Sequence, residues 1–394
     1  MRPLAAILAH PITLVFVAVV TGLAVHSFTS PSAWRSDTPE SLPVEPELTP
    51  EARLSPTLPA EPAEPSVNVA EAAPMAEETD VISLPPRPSL DGLAPLRFRE
   101  IWGYLMAGED DRWIEEAPIT DVCLFNFRLG DRGEILGNLQ EKTLRLARQR
   151  GVRAHLVIAS SGQKSLLHFL LNPYYRARNQ FIGDIVRVAR RHKIDGLQLD
   201  FESLLVEDRF HFIAFVQELR SQLPAGISFS LALPAEVKTS PKRPLRYRGL
   251  ERLADRYFIM IYDEHWKGGT AGSIASKSWH DKVVDHAVAE LPREKIVFGL
   301  PLYGRIWQHQ KIARATRHPA LQRFVEERNA AVHYDVSQTH HFTFQEVVTG
   351  ECWFEDAATL YEKFFSAYSR GARAIGFWRI GQEDPRVWKL LAQE

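Results

Sequence analysis

The chain has only two cysteines among its 394 residues, Cys123 and Cys352. That scarcity excludes a disulfide framework and a four-cysteine zinc site. Cys123 lies in the apolar run Val122-Cys123-Leu124-Phe125, where a small buried hydrophobe is expected. In an oxidising compartment the two thiols could pair, but sequence alone does not bring the sulfurs together. Excess charge of either sign is also missing: the formal net charge is -2. A nucleic-acid partner usually demands a basic face, so none is expected. Basic runs such as Arg190-Arg191-His192-Lys193 read as solvated helix faces. No second His or Cys stands at zinc spacing around His265, so neither a metal nor any other cofactor is expected. There is no short internal repeat, and the chain is expected to be a monomer.

What is present divides the chain into three parts. Residues 1–28 open with Arg2 and continue as an uncharged stretch from Ile12 to Val25. This pattern reads as a secretory signal or a short membrane anchor, which implies export, to a periplasm or cell surface, and contact with a membrane. Residues 29–92 are rich in Pro, Glu and Ala, as in Pro43-Val44-Glu45-Pro46-Glu47. Such a segment has too little apolar surface to join a core and reads as a disordered tether. Residues 93–394 carry eight apolar, β-branched or aromatic runs. They are Ile101–Met106, Val122–Phe127, Ala154–Ile158, Gly196–Phe201, Ile227–Leu233, Tyr257–Tyr262, Ile296–Pro301 and Ala374–Trp378. Helical patterns such as Phe181–Arg191 and Phe210–Gln222 lie between them. Strand–helix alternation predicts a parallel sheet, and eight strands predict closure into a (β/α)8 barrel, the TIM-barrel architecture of the α/β class.

The fourth run holds the chemistry. In Asp195-Gly196-Leu197-Gln198-Leu199-Asp200-Phe201-Glu202, side chains alternate with period two. Gln198, Asp200 and Glu202 therefore share one face, while Leu197, Leu199 and Phe201 share the other. Apolar residues suit the face that packs on helices, which sends the polar trio inward. Buried carboxylates are costly unless they serve the mouth of the barrel, where active sites of this fold lie. Asp195, ahead of the strand interior, is expected to fix a local backbone contact.

This segment resembles the Asp-Gly-x-Asp-x-Asp-x-Glu signature of glycoside hydrolase family 18, the chitinase family. Met260-Ile261-Tyr262-Asp263 resembles its Met-x-Tyr-Asp motif, and Gly299-Leu300-Pro301-Leu302-Tyr303-Gly304-Arg305 its seventh-strand motif. Phe377-Trp378-Arg379 resembles its eighth-strand tryptophan segment. The longer strings Tyr262-Asp263-Glu264-His265-Trp266 and Trp378-Arg379-Ile380-Gly381-Gln382-Glu383-Asp384-Pro385 are similar to a bacterial branch of spore-cortex and cell-wall N-acetylglucosaminidases.

The resemblance implies retaining hydrolysis of β-linked N-acetylglucosamine polymers, peptidoglycan first and chitin next, assisted by the substrate's own acetamido group. It implies Glu202 as general acid/base, Asp200 as partner of the acetamido N–H, and Tyr262 as partner of the acetamido oxygen. Gln198, Asp263, Trp378, Tyr303, Arg305 and Trp266 are the expected substrate-binding residues, with Trp378 as the floor under a sugar ring. Trp307 is a further candidate for the cleft wall. Gln198 departs from the signature, which has Asp there; its amide is expected to donate to Asp200 and keep that group ionised. A non-catalytic sugar-binding member of the same fold is the competing reading, and retention of Glu202 argues against it.

Overall fold

In the computed structural model, residues 89–393 are described, apart from 110, 112, 161, 203, 309–311 and 346–348. The expected N-terminal apolar segment and nearly all of the tether lie outside them. Eight parallel strands close into a barrel. They are β1 (Glu100–Met106), β2 (Asp121–Leu129), β3 (Arg153–Ala159), β4 (Gly196–Asp200), β5 (Ser228–Pro234), β6 (Arg256–Met260), β7 (Ile296–Pro301) and β8 (Ala374–Trp378). Each pairs with the next in sequence, and β8 returns to β1, with Ile375 opposite Ile101. All eight predicted runs therefore form strands, with ends that match to within two residues.

Alternation along these strands separates two cores. Leu197 and Leu199, with Leu156, Ile158, Phe229 and Leu231, face outward and pack on the surrounding helices, for example on Phe212, Phe215 and Leu219 of helix Arg209–Gln222. Trp102, Tyr104, Cys123, Val157, Phe258 and Val297 fill the interior. Two glycines make room for the largest of these. A Cβ on Gly299 of β7 or on Gly376 of β8 would overlap the Phe258 ring. Small residues opposite a large one are how a barrel interior reaches crystal-like density.

The base of the barrel is closed by charge. Glu100 accepts hydrogen bonds from Arg256 Nε at 3.0 Å and from Trp102 Nε1 at 2.9 Å. Asp121 contacts His155 Nε2 at 2.6 Å and Arg153 Nη2 at 2.9 Å. Burial alone would raise both carboxyls, but their cationic partners outweigh it and hold each below its ordinary value. Asp195 accepts from Ala154 N at 2.8 Å, the backbone contact expected of it.

Between β7 and β8 the chain inserts a five-stranded antiparallel sheet that the sequence reading did not separate from the barrel. Its spatial order is Ile312–Arg317, Tyr303–Gln308, Thr349–Phe354, His340–Gln345 and His333–Tyr334, with helix His318–Arg328 packed on it. Cys352 is buried in the apolar cluster of this insert, whereas Cys123 is inside the barrel; both thiols are free, so no disulfide forms. Among the described residues, no helix is long and apolar enough to cross a membrane.

Candidate active site

The C-terminal ends of β4, β6 and β8 converge at one mouth. Asp200 ends β4 and is 7% exposed; Glu202 follows two residues on and is exposed. Burial raises the Asp200 carboxyl to about 8, with the neighbouring Glu202 charge adding to the shift. Although Glu202 as a residue is exposed, partial desolvation at the mouth raises its carboxyl too, with help from the Asp263 charge. The pair therefore retains a proton near neutrality, a property that suits acid catalysis.

Below this pair sits Gln198, fully buried. Its Oε1 accepts from Tyr104 Oη at 2.5 Å, and its Nε2 donates to Ser230 Oγ at 3.2 Å. The expected donation to Asp200 is not made. Ser230 lies directly opposite Gln198 in the β4–β5 register, so the amide is satisfied sideways. Asp200 Oδ1 is left buried with no hydrogen-bond partner, and burial favours its neutral form rather than the ionised form expected.

Tyr262 and Asp263 continue β6 beyond Met260. The Tyr262 ring stacks on Trp378, centroids 6.5 Å apart and planes 23° from parallel. Burial and then the charge of Asp200 push its phenol well above the ordinary range, so it stays protonated and able to donate. Trp378 is supported from other sides by Tyr104 at 5.3 Å and Phe125 at 4.9 Å. Asp263 adopts φ 59°, a left-handed conformation that Asp tolerates better than most residues. Arg305 holds it there, with Nη2 at 2.7 Å from both carboxylate oxygens, and Tyr303 Oη also donates to it. Both partners belong to the first strand of the insert, which is thereby fastened to the mouth.

Nearly all the expected residues thus gather in one place, but their roles divide. Asp200, Glu202, Tyr262 and Trp378 surround the opening. Gln198, Tyr303 and Arg305 reach it through other side chains, and Arg305 is occupied by Asp263. Trp266 is 60% exposed and lies over Gly268 on the loop after β6. Trp307, a cleft candidate by sequence, is instead buried with Tyr303, Ile274 and Ala313, in a cluster against which Tyr262 and Trp378 pack from the mouth. Glu264 and His265 brace the same loop: Glu264 accepts from Ser276 N at 2.6 Å, and His265 Nδ1 contacts Ser273 O at 2.8 Å. Among the described residues no group of His, Cys, Asp and Glu is arranged to hold a metal.

Three contributors escaped the sequence reading: Tyr104, Phe125 and Ser230. Each lies on the inward face of its strand, and strand periodicity could have nominated them. The register that sets which residue stands opposite which is not legible in the sequence. An open groove lined by Arg187, Arg190, Arg191 and Leu223 lies between two outer helices and contains none of these groups.

Comparison with known proteins follows the same lines. The chain is 28% identical over 228 residues to the cortical fragment-lytic enzyme of Bacillus anthracis, covering 55% of this chain and 53% of the relative. It thus spans about half the length of that curated relative. The crystal structure of the Bacillus cereus spore cortex-lytic enzyme SleL superposes with TM-score 0.69 at 25% identity, covering 76% of this chain and 75% of that one. A chitinase from Chromobacterium violaceum matches at TM-score 0.68 and 21% identity over 74% of this chain and 98% of its own, a likeness of fold. The model of glycosyl hydrolases family 18 matches residues 120–383, more than half of the chain, and the chain belongs to that family.

Proposed function

We propose that this protein is an exported, retaining glycoside hydrolase that cleaves glycans containing β-linked N-acetylglucosamine, with wall peptidoglycan ahead of chitin. The observation that carries the reading is the carboxyl pair Asp200 and Glu202, both raised in pKa, at the barrel mouth beside the Tyr262–Trp378 stack. Relatives named for lysis of spore cortex favour a wall glycan as substrate.

A sugar ring would lie on Trp378, an apolar surface at the floor of the opening. Glu202, more open to solvent than Asp200, would protonate the glycosidic oxygen and later take a proton from water. The substrate's acetamido oxygen would attack the anomeric carbon, as in substrate-assisted members of this family. Asp200 has a free buried oxygen to accept the acetamido N–H, and doing so would favour its ionised form as positive charge develops on the ring. The Tyr262 phenol would donate to the acetamido oxygen. Residues 93–394 would form the catalytic unit, with residues 29–92 as its tether and residues 1–28 as the export signal or anchor.

The test is Glu202→Gln, assayed by release of reducing ends from chitin oligomers and from purified wall glycan. A positioned general acid contributes roughly 100- to 10,000-fold, so turnover should nearly vanish while the fold persists. A folded variant keeping more than about a tenth of wild-type activity would remove Glu202 from that role, since even the low end of the range predicts a larger loss.

A further inference from the structure

We propose that the basic loop 237–248, on the rim of the barrel mouth, binds carboxylate groups carried by the glycan and so selects wall glycan over neutral chitin. This rests on the wall-glycan reading above. From Val237 to Leu250 the sequence has five basic residues, Lys238, Lys242, Arg243, Arg246 and Arg248, and no acidic one. Elsewhere the mouth is acidic, with Asp200, Glu202 and Asp263. The chain as a whole is close to neutral, so this loop is a local departure.

The topology places the loop beside the site. Strand β5 ends at Pro234, which is level with Met260 of β6. Two residues beyond Met260 comes Tyr262; two beyond Pro234 comes Glu236, immediately before the loop. The far side is tied to the segment that follows Glu202. Arg209, at the start of the helix after β4, donates its Nε to Pro244 O at 2.8 Å and also reaches Arg243 O. Tyr247 Oη donates to Pro234 O at 2.7 Å and accepts from Glu236 N at 3.1 Å. The loop is therefore held in place rather than left to swing.

Most of its charge is also available. Arg248 is engaged by Glu290 at 3.0 Å. Lys238 and Lys242 are exposed and without ion-pair partners among the described residues. Arg246 keeps a buried Nε–H with no acceptor. The acid just ahead of the loop is Glu236, 4% exposed, with both carboxylate oxygens lacking a hydrogen-bond partner and Arg243 Nε 4.0 Å away. Burial raises this carboxyl to about 7, so at neutral pH it offsets only part of the positive charge. It lies behind Arg243, whose side chain stays 55% exposed. Planar guanidinium groups and adjacent ammonium groups are suited to carboxylates, and a neutral N-acetylglucosamine polymer offers them none.

The experiment compares wild type with the triple variant Lys238→Gln/Lys242→Gln/Arg243→Gln. Substrates are chitin tetramer, intact wall glycan, and wall glycan stripped of its peptides. At a factor of ~2 for each exposed ion pair, KM on wall glycan should rise roughly tenfold, while kcat/KM on chitin tetramer should stay within about twofold. Added salt should weaken wild-type action on wall glycan in the same direction. The double variant Lys238→Gln/Lys242→Gln, confined to exposed side chains, should give an intermediate rise. A rise that persists on stripped glycan assigns the carboxylate to the sugar, and one that disappears assigns it to the peptide; both support the proposal. Equal loss on all three substrates, or loss on none, overturns it. A wild-type protein that cleaves chitin and leaves wall glycan intact overturns the substrate ranking and the rim together. Cleavage of both with unaffected variants overturns the rim alone.

Discussion

Replacing Glu100 with Gln should weaken the fold and spare the chemistry, because Glu100 closes the end of the barrel opposite the mouth. Its carboxylate is 7% exposed and pairs with Arg256 Nε at 3.0 Å, while also accepting from Trp102 Nε1 at 2.9 Å. Arg153 adds an ion pair at 3.4 Å. Gln keeps the size and one acceptor but removes the charge, leaving Arg256 in a half-buried position without its counterion. Breaking a buried pair costs ~3–5 kcal/mol, and partial exposure of Arg256 puts the expected loss near the lower end, about 3 kcal/mol. For a domain of this size 1 kcal/mol moves Tm by roughly 2 °C, so Tm should fall by about 6 °C.

The double variant Glu100→Leu/Arg256→Met should cost less than Glu100→Gln, since no unpaired charge is left in place. The pH dependence has a definite sign. Glu100 and Asp121 are depressed in the folded state, so their contribution is complete above the ordinary carboxylate range. It is lost as pH falls through the lowered folded values, and the Glu100→Gln penalty should shrink in that acid window. The assay is urea or thermal denaturation across pH, with kcat/KM at 25 °C measured in parallel. A loss below about 0.5 kcal/mol would refute the reasoning, because it would place the pair among exposed, weakly coupled ones. A fall in kcat/KM matching the loss of stability would refute the separation of base from mouth.

Gln198→Leu should lose activity and ~1–3 kcal/mol of stability, because it strands the Tyr104 hydroxyl and the Ser230 hydroxyl in the interior. Gln198→Asp should stay active with its alkaline limb moved to higher pH than in wild type, where the pair loses its last proton near the Asp200 value of about 8. Profiles of kcat/KM against pH that are unchanged in both variants would remove any electrostatic role from position 198. Gly376→Ala drives a methyl into the Phe258 ring and should cost ~1–3 kcal/mol in urea denaturation; a neutral outcome would mean the barrel interior is looser than its contacts imply. Deletion of residues 1–88 should leave a soluble, folded protein with a cooperative thermal transition, and an insoluble product would place the domain boundary elsewhere.

The sequence by itself determined the eight strands, their order and the face on which Gln198, Asp200 and Glu202 stand. These follow from period-two alternation and from runs of β-branched and aromatic residues, which are local properties of the chain. It also nominated Asp200 and Glu202, because charged residues on an inward strand face are tolerable only at a mouth, while Tyr262 and Trp378 were expected only from the family resemblance. Tertiary structure decided the rest, since it depends on register and on which side chains meet across elements. Register set Ser230 opposite Gln198, which turned the amide away from Asp200 and left that carboxyl buried and raised. Closure of the barrel brought Phe258 against Gly299 and Gly376, residues distant in sequence. The insert between β7 and β8 supplied Tyr303 and Arg305 to Asp263 and buried Trp307 in the cluster behind Tyr262 and Trp378. Short strands such as Tyr303–Gln308 read locally like barrel strands, so only their antiparallel pairing with one another sets them apart. A hydrogen bond between elements far apart in sequence is a statement about distance in space, and local periodicity carries no such information.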